Sequence, residues 1–247
     1  MRYFFFISYK GTNYHGWQAQ PNANTVQEEI NIALKTIFQN SIETLGSGRT
    51  DTGVHAKEQV FHADLPEEIS PGTLIHKLNG VLPNDIVVNA IHKVKEEAHA
   101  RFDAISRSYE YHIQFSKSPF KENEYHFLPS APDFDLMNKA CKFLTGTHDF
   151  TSFSKVKTEV NNFNCTITRA EWVKEGDGVT FHISANRFLR GMVRAIVGTL
   201  LNVGNNKISL EEFNKIIEAK DRTKAGQAVP ARGLYLCEVR YPKEVFI

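Results

Sequence analysis

The amino-acid sequence predicts an α+β fold in two halves, residues 1–105 and 106–247, each a mainly antiparallel sheet covered by helices. Three observations carry this expectation. Short apolar or alternating stretches have strand length, other stretches place apolar residues at helical spacing behind N-terminal caps, and the element order of the first half recurs in the second. With 247 residues, 41% of them hydrophobic and 23% charged, the chain is long enough and apolar enough to bury a core in each half.

Arg2–Tyr9 is apolar and aromatic, is bounded by Lys10-Gly11, and reads as a strand. Thr25 and Glu28 have capping-box spacing, and Val26, Ile30, Leu34, Ile37 and Phe38 then mark a helix to about Asn40. A short strand over 42–45 leads into a glycine-rich loop, 46–53, and a strand over 59–64 follows. Pro71 opens a helix that ends near Gly80, with Leu74, Leu78 and Ile75 as its apolar side, before a strand over 86–94. The order β-α-β-β-α-β is the ferredoxin-like pattern.

In the second half, Tyr109, Ile113 and Phe115 alternate with Glu110, His112 and Gln114 in a half-buried strand. A helix over 134–144 ends at Gly146, and strands over 166–174 and 179–185 form a hairpin around Glu175-Gly-Asp-Gly178. A strongly apolar helix over 188–203, a short one over 210–220 and a strand over 234–241 complete this half, so both halves are expected to be ferredoxin-like.

Several classes are excluded or disfavoured. No apolar run reaches the ~18 residues of a membrane span, and the first residues read as a strand and not a signal peptide. Cys141, Cys165 and Cys237 are odd in number and far apart, which argues for a reduced, cytoplasmic setting. No His, Asp or Glu cluster has metal-ligand spacing, so neither a metal nor another cofactor is expected.

The chemistry concentrates in Gly46-Ser-Gly-Arg-Thr-Asp-Thr-Gly-Val-His55, where one carboxylate, Asp51, stands among glycines with Arg49 and His55 at its flanks. The glycines permit tight backbone and close approach of a bulky ligand, and a nearby cation favours an ionised carboxylate. An ionised, oriented Asp serves as nucleophile or general base; the bland alternative is an Asx-turn that merely closes the loop.

The string GRTDTGVHA closely resembles GRTDAGVHA, the signature of the TruA family of tRNA pseudouridine synthases, with Thr52 in place of the common Ala. The resemblance extends over GWQAQPNANTVQEEI, LNGVLPNDIVV, HARFDAISRSYEYHI, GTHDFTSF, NRFLRGMVRAIVGTLL and AVPARGLYL, nearly the whole chain. It implies conversion of uridine to pseudouridine at positions 38, 39 and 40 of the tRNA anticodon arm, without a cofactor, by a homodimer with its active-site cleft between the halves. A same-family enzyme with other RNA targets, or a tRNA-binding folding helper with secondary catalysis, is the competing reading.

The resemblance makes Asp51 the catalytic carboxylate and Arg49 a neighbour of the substrate. Tyr109 would stack on the flipped uracil, although its alternation alone reads as a core tyrosine. Arg187, Arg190 and Arg194 are spaced i, i+3, i+7, expected to share one helix face that is either solvated or functional. By resemblance Arg194 is the ionic partner of Asp51, and Leu234 gives apolar contact under the base. RNA contacts fall on Arg101, Phe102, Lys155 and Lys157, while His15, Trp17 and Gln18 are placed at the entrance and His62 and His182 are structural. The net charge of +1 hides an asymmetry. Residues 1–105 hold 9 Lys and Arg against 12 Asp and Glu, and the remainder holds 20 against 16, which puts the cationic surface mainly on the second half.

Overall fold

The computed structural model describes residues 1–155 and 161–247, a mixed α/β protein with five α-helices among the described residues. Two compact units divide it: Met1–Ile105 with Tyr235–Ile247, and Ser106–Leu234.

In the first unit the order is β1 (Arg2–Tyr9), α1 (Val26–Phe38), β2 (Thr44–Gly46), β3 (His55–Asp64), α2 (Pro71–Val81) and β4 (Ile86–Lys93). β1 pairs antiparallel with β3, Arg2 opposite Asp64, and with β4, Tyr3 opposite Lys93. Flanked on both sides, β1 buries Tyr3, Phe4, Phe5 and Ile7 almost completely, which is why it reads as a continuous apolar run. Phe5 stacks on Phe61 with ring centroids 4.6 Å apart and planes 6° from parallel. At the strand end, Arg2 grips Asp64 with both Nε (2.9 Å) and Nη2 (2.7 Å).

The Thr25 hydroxyl accepts the Glu28 N–H at 3.3 Å, and α1 buries Val26, Ile30, Ala33 and Leu34. The helix stops at Gln39, whose φ of 56° is left-handed. α2 starts on Pro71 and is tied to β4 through Asn79. That amide donates to Val88 O (3.0 Å) and accepts from Val88 N (2.8 Å). β3 begins at His55, four residues earlier than its pattern indicates, because the apolar stretch is interrupted by Lys57 and Glu58 without ending the ladder.

The second unit runs β5 (Ser106–Gln114), β6 (His126–Phe127), α3 (Phe134–Cys141), β7 (Gly146–Asp149), β8 (Asn164–Glu175), β9 (Gly178–Ala185), α4 (Met192–Gly204) and α5 (Leu210–Ala219). Its hydrogen-bonded order is β5-β9-β8-β7, all antiparallel, with β6 parallel to β5. The hairpin of β8 and β9 is as read from the sequence; β6 and β7 are too short to show a pattern. A reciprocal capping box, Ser209 with Glu212, opens α5.

One expectation fails here. The apolar helix does not begin near Phe188: residues 187–189 are irregular, a turn follows at 190–191 with Gly191 at φ 71°, and α4 starts at Met192. The left-handed glycine breaks the helical path, so Arg187 and Arg190 do not share a helix face with Arg194. Of the three, only Arg194 lies on α4.

β10 (Leu234–Arg240) pairs parallel with β3, Tyr235 opposite His55 and Leu236 opposite Ala56. Val239 N donates to the Glu58 carboxylate (3.0 Å), Tyr241 OH to Ala100 O (2.6 Å), and Ile105 N to Arg240 O (2.9 Å). These bonds group residues from Tyr235 onward with the first unit, where the sequence reading of 106–247 keeps them in the second half. The contacts are made across long sequence separations that no local pattern records. Among the described residues no helix is long and apolar enough to cross a membrane, and Cys141, Cys165 and Cys237 are free thiols.

Candidate active site

Asp51 lies on the loop between β2 and β3, half-buried, with exposed Arg49 two residues before it. The loop is clamped from beneath. Gln59, fully buried on β3, accepts the Ser47 hydroxyl (2.5 Å) and the Val60 N–H, and its amide donates to Gly48 O at 2.9 Å. Ser47 N donates to Val60 O at 2.7 Å, and the Tyr9 and Thr50 hydroxyls bond at 2.8 Å in the core. Val54 N closes the turn on the Asp51 carbonyl at 3.1 Å.

A second clamp comes from the segment before α1. Trp17 N donates to Thr50 O, and Gly53 N donates to Tyr14 O, both at 3.3 Å. Gly16, at φ +91°, lies so close that a Cβ there would sit 2.4 Å from Thr50 O. That segment is itself fixed: Tyr14 OH donates to Asp85 at 2.5 Å, and burial with this bond raises the phenol's pKa. Backbone on both sides of Asp51 is therefore immobilised by bonds that do not involve its carboxylate.

His55 is a core residue. Its side chain is 1% exposed, Nδ1 accepts the Gly11 N–H at 3.1 Å, and the ring stacks on Tyr235 at 4.6 Å. Trp17 likewise belongs to the core, stacked near Tyr9 and Phe61, whereas His15 and Gln18 are exposed. Gly16, Gln59 and Thr50 are supports that motif reading passes over. The one sequence signal for Gln59 is an uncharged amide directly before the apolar pair Val60-Phe61 of β3.

In the second unit Tyr109 is half-buried on β5, its ring edge-on to Phe188 at 5.1 Å. Tyr111 is completely buried, donates to Pro230 O at 2.9 Å, and has its pKa pushed up by that burial. Arg194 is the third residue of α4, a helix otherwise buried nearly all round. Its Nε donates to Val229 O at 2.7 Å while Val229 N donates to Arg194 O at 3.1 Å. The 226–229 segment crosses α4 at Gly198, where a Cβ would meet Gln227 O at 1.9 Å. A guanidinium with its Nε fixed this way has its plane set in advance. Leu234, 6% exposed, follows Gly233, where a Cβ would sit 2.8 Å from His112 O.

Of the expected RNA contacts, Arg101 and Phe102 are exposed neighbours in the first unit, the Arg101 Cζ lying 5.6 Å from the Phe102 ring centroid. Lys155 is exposed in the second unit, and its N–H donates to Arg190 O. Lys157 lies outside the described residues. His62 is 3% exposed, accepts the Ala100 N–H at 3.1 Å, and is held at a pKa of about 4, chiefly by burial. His182 on β9 lies with Nε2 3.2 Å from the Glu175 carboxylate at the end of β8. Asp51, Arg49, Arg101 and Phe102 thus belong to one unit, and Tyr109, Arg194, Leu234 and Lys155 to the other.

The family model described as tRNA pseudouridine synthase matches residues 6–103 and 140–242. The chain is 50% identical to tRNA pseudouridine synthase A of Parabacteroides distasonis, over 99% of this chain and 98% of the relative. It is 48% identical to the enzyme of the same name from Bacteroides thetaiotaomicron, over 99% and 92%. With the Porphyromonas gingivalis enzyme the identity is 48%, over 100% and 99%.

Proposed function

The chain belongs to the tRNA pseudouridine synthase family, and from that premise we propose that it acts on uridines 38, 39 and 40 of the anticodon arm with Asp51 as catalytic carboxylate. The enzyme is an isomerase that converts uridine in tRNA to pseudouridine. Isomerisation breaks the N1–C1′ bond, turns the uracil and joins C5 to the same C1′. The C5 proton is lost and N1 gains one, so the reaction balances without a cofactor. A target uridine inside a stem must first leave it, at a cost of a few kcal/mol in stacking and pairing.

The observation that carries the reading is the immobilised loop. A single carboxylate is presented on backbone fixed by Gln59, Thr50 and Gly16, which suits a group that must meet one reacting atom in one orientation. Arg194, its plane set by Val229, is the cation that orients and stabilises the ionised Asp51. Tyr109 stacks on the flipped uracil, with Leu234 apolar contact below it. Arg49, Arg101, Phe102, Lys155 and Lys157 contact the RNA. Catalysis then needs residues from both units. The β1-α1-β2-β3-α2-β4 order supports a ferredoxin-like first half. A cytoplasmic homodimer carrying one tRNA across both subunits completes the proposal.

The test is to incubate unmodified transcripts of several tRNAs with the purified protein and map pseudouridine. Pseudouridine at 38–40 without added cofactor is the expected result. Conversion confined to other uridines would overturn the site assignment while leaving the chemistry intact. A folding helper would instead restore tRNA-dependent growth equally well as Asp51→Ala.

A further inference from the structure

Residues 98–103 build a column of rings at the surface of the first unit. His62 lies at its base, His99 stands 4.7 Å above it edge-on, and Phe102 lies 4.3 Å from His99. Phe102 nevertheless remains 73% exposed, with the Arg101 guanidinium beside the ring. Folding therefore gains little from this phenyl group, since most of its apolar surface stays in water.

The backbone under it is held firmly. His99 N donates to the Asp103 carboxylate at 2.7 Å, Tyr241 OH to Ala100 O at 2.6 Å, and Arg2 Nη1 to Ala98 O at 3.0 Å. Both imidazoles accept a backbone N–H at Nδ1: His62 from Ala100 (3.1 Å) and His99 from Arg101 (3.0 Å). Each ring then carries its proton on Nε2, and burial lowers both pKa values, so the column is neutral at pH 7. A flat, fixed, uncharged ring with a guanidinium at its side is the arrangement that holds single-stranded nucleic acid. The ring stacks on a base and the cation meets phosphate or the base face.

We propose that Phe102, backed by His99 and His62, is a stacking platform for an unpaired nucleobase of the bound tRNA. This rests on the tRNA reading above and adds the kind of contact made: a base face on the ring, with no base-edge readout and so no sequence preference at that nucleotide. Turning a uridine out of a stem leaves its former pairing partner unpaired and its neighbours unstacked, and the platform receives one of these bases.

The test uses the full chain and an unmodified tRNA transcript, with Kd measured by filter binding at a series of salt concentrations. Phe102→Ala should weaken binding roughly 5- to 100-fold, with the salt dependence unchanged because no charge is lost. Phe102→Trp should restore affinity to within about threefold, and Phe102→Leu should not, because a leucine is apolar but cannot stack. A Phe102→Ala variant that binds within about twofold of wild type overturns the proposal. So does rescue by leucine equal to rescue by tryptophan. Pseudouridine formation by the wild-type preparation is scored separately. Its absence would sink the functional reading, whereas the platform is judged on Kd alone.

Discussion

In the first unit a carboxylate rides on a loop clamped through its backbone, whereas in the second unit a cation is aimed by a hydrogen bond to its own side chain. Around Asp51 the fixing contacts are Gln59 to Gly48, Trp17 to Thr50 and Gly53 to Tyr14, and Gly16 packs where no side chain fits. At Arg194 the helix start follows Gly191 and is held by Val229 N on Arg194 O, and the guanidinium is anchored on Val229 O. The difference follows from side-chain length. A short Asp inherits the precision of its backbone, while a long Arg needs a contact near its head to lose rotamer freedom. Substitutions in the backbone supports of the Asp51 loop should therefore disturb folding as well as function, whereas those at Arg194 should separate the two.

The largest effect expected from this contrast is at Arg194→Ala. On the proposed role of Arg194 as ionic partner of Asp51, its removal should lower single-turnover pseudouridine formation about a hundredfold or more. The helix should remain, since Ala is favoured there. A melting temperature within a few degrees of wild type, alongside the lost rate, marks a chemical role. Comparable losses of tRNA affinity and rate would make Arg194 an RNA contact instead.

Gly16→Ala should behave in the opposite way. At φ +91°, with a Cβ 2.4 Å from Thr50 O, the substitution is strained and displaces the Asp51 loop. A loss of about 1–3 kcal/mol in urea unfolding should accompany a fall in activity. Unchanged stability with lost activity would break the claim that backbone packing places Asp51.

A smaller, pH-dependent effect should come from His62. Its pKa of about 4 in the folded protein, against 6.5 ordinarily, means the unfolded chain binds the extra proton first as pH falls. Stability contributed by the neutral ring is thus intact above about pH 7, declines as pH falls through 6.5, and is lost by about 4. In thermal melts across that range, His62→Gln should flatten part of the decline by a few degrees. Identical slopes would contradict a buried neutral imidazole.

Much of this arrangement is legible in the sequence because it depends on local pattern. β1, the Pro71 helix and the hairpin of β8 and β9 all follow from alternation, caps and turn residues. The Asp51 loop stands out because its glycines and charges are consecutive. What stays hidden is set by distant contacts. Gly16 is an ordinary glycine until Thr50 is folded against it, and Trp17 joins the core only once Phe61 lies beside it. The start of α4 is misread for a related reason. Phe188 and Leu189 continue an apolar pattern, and one left-handed glycine outweighs it. The place of β10 depends on a pairing with β3 that is remote in sequence.

The central claim is that Asp51 carries the chemistry and the loop carries Asp51. Asp51→Asn keeps the size and polarity of the side chain and removes its negative charge. Single-turnover assays at saturating tRNA, with pseudouridine mapped in the product, should show at least about a thousandfold loss with Tm and tRNA affinity retained. Pseudouridine formed by Asp51→Asn within about tenfold of the wild-type rate would contradict the account.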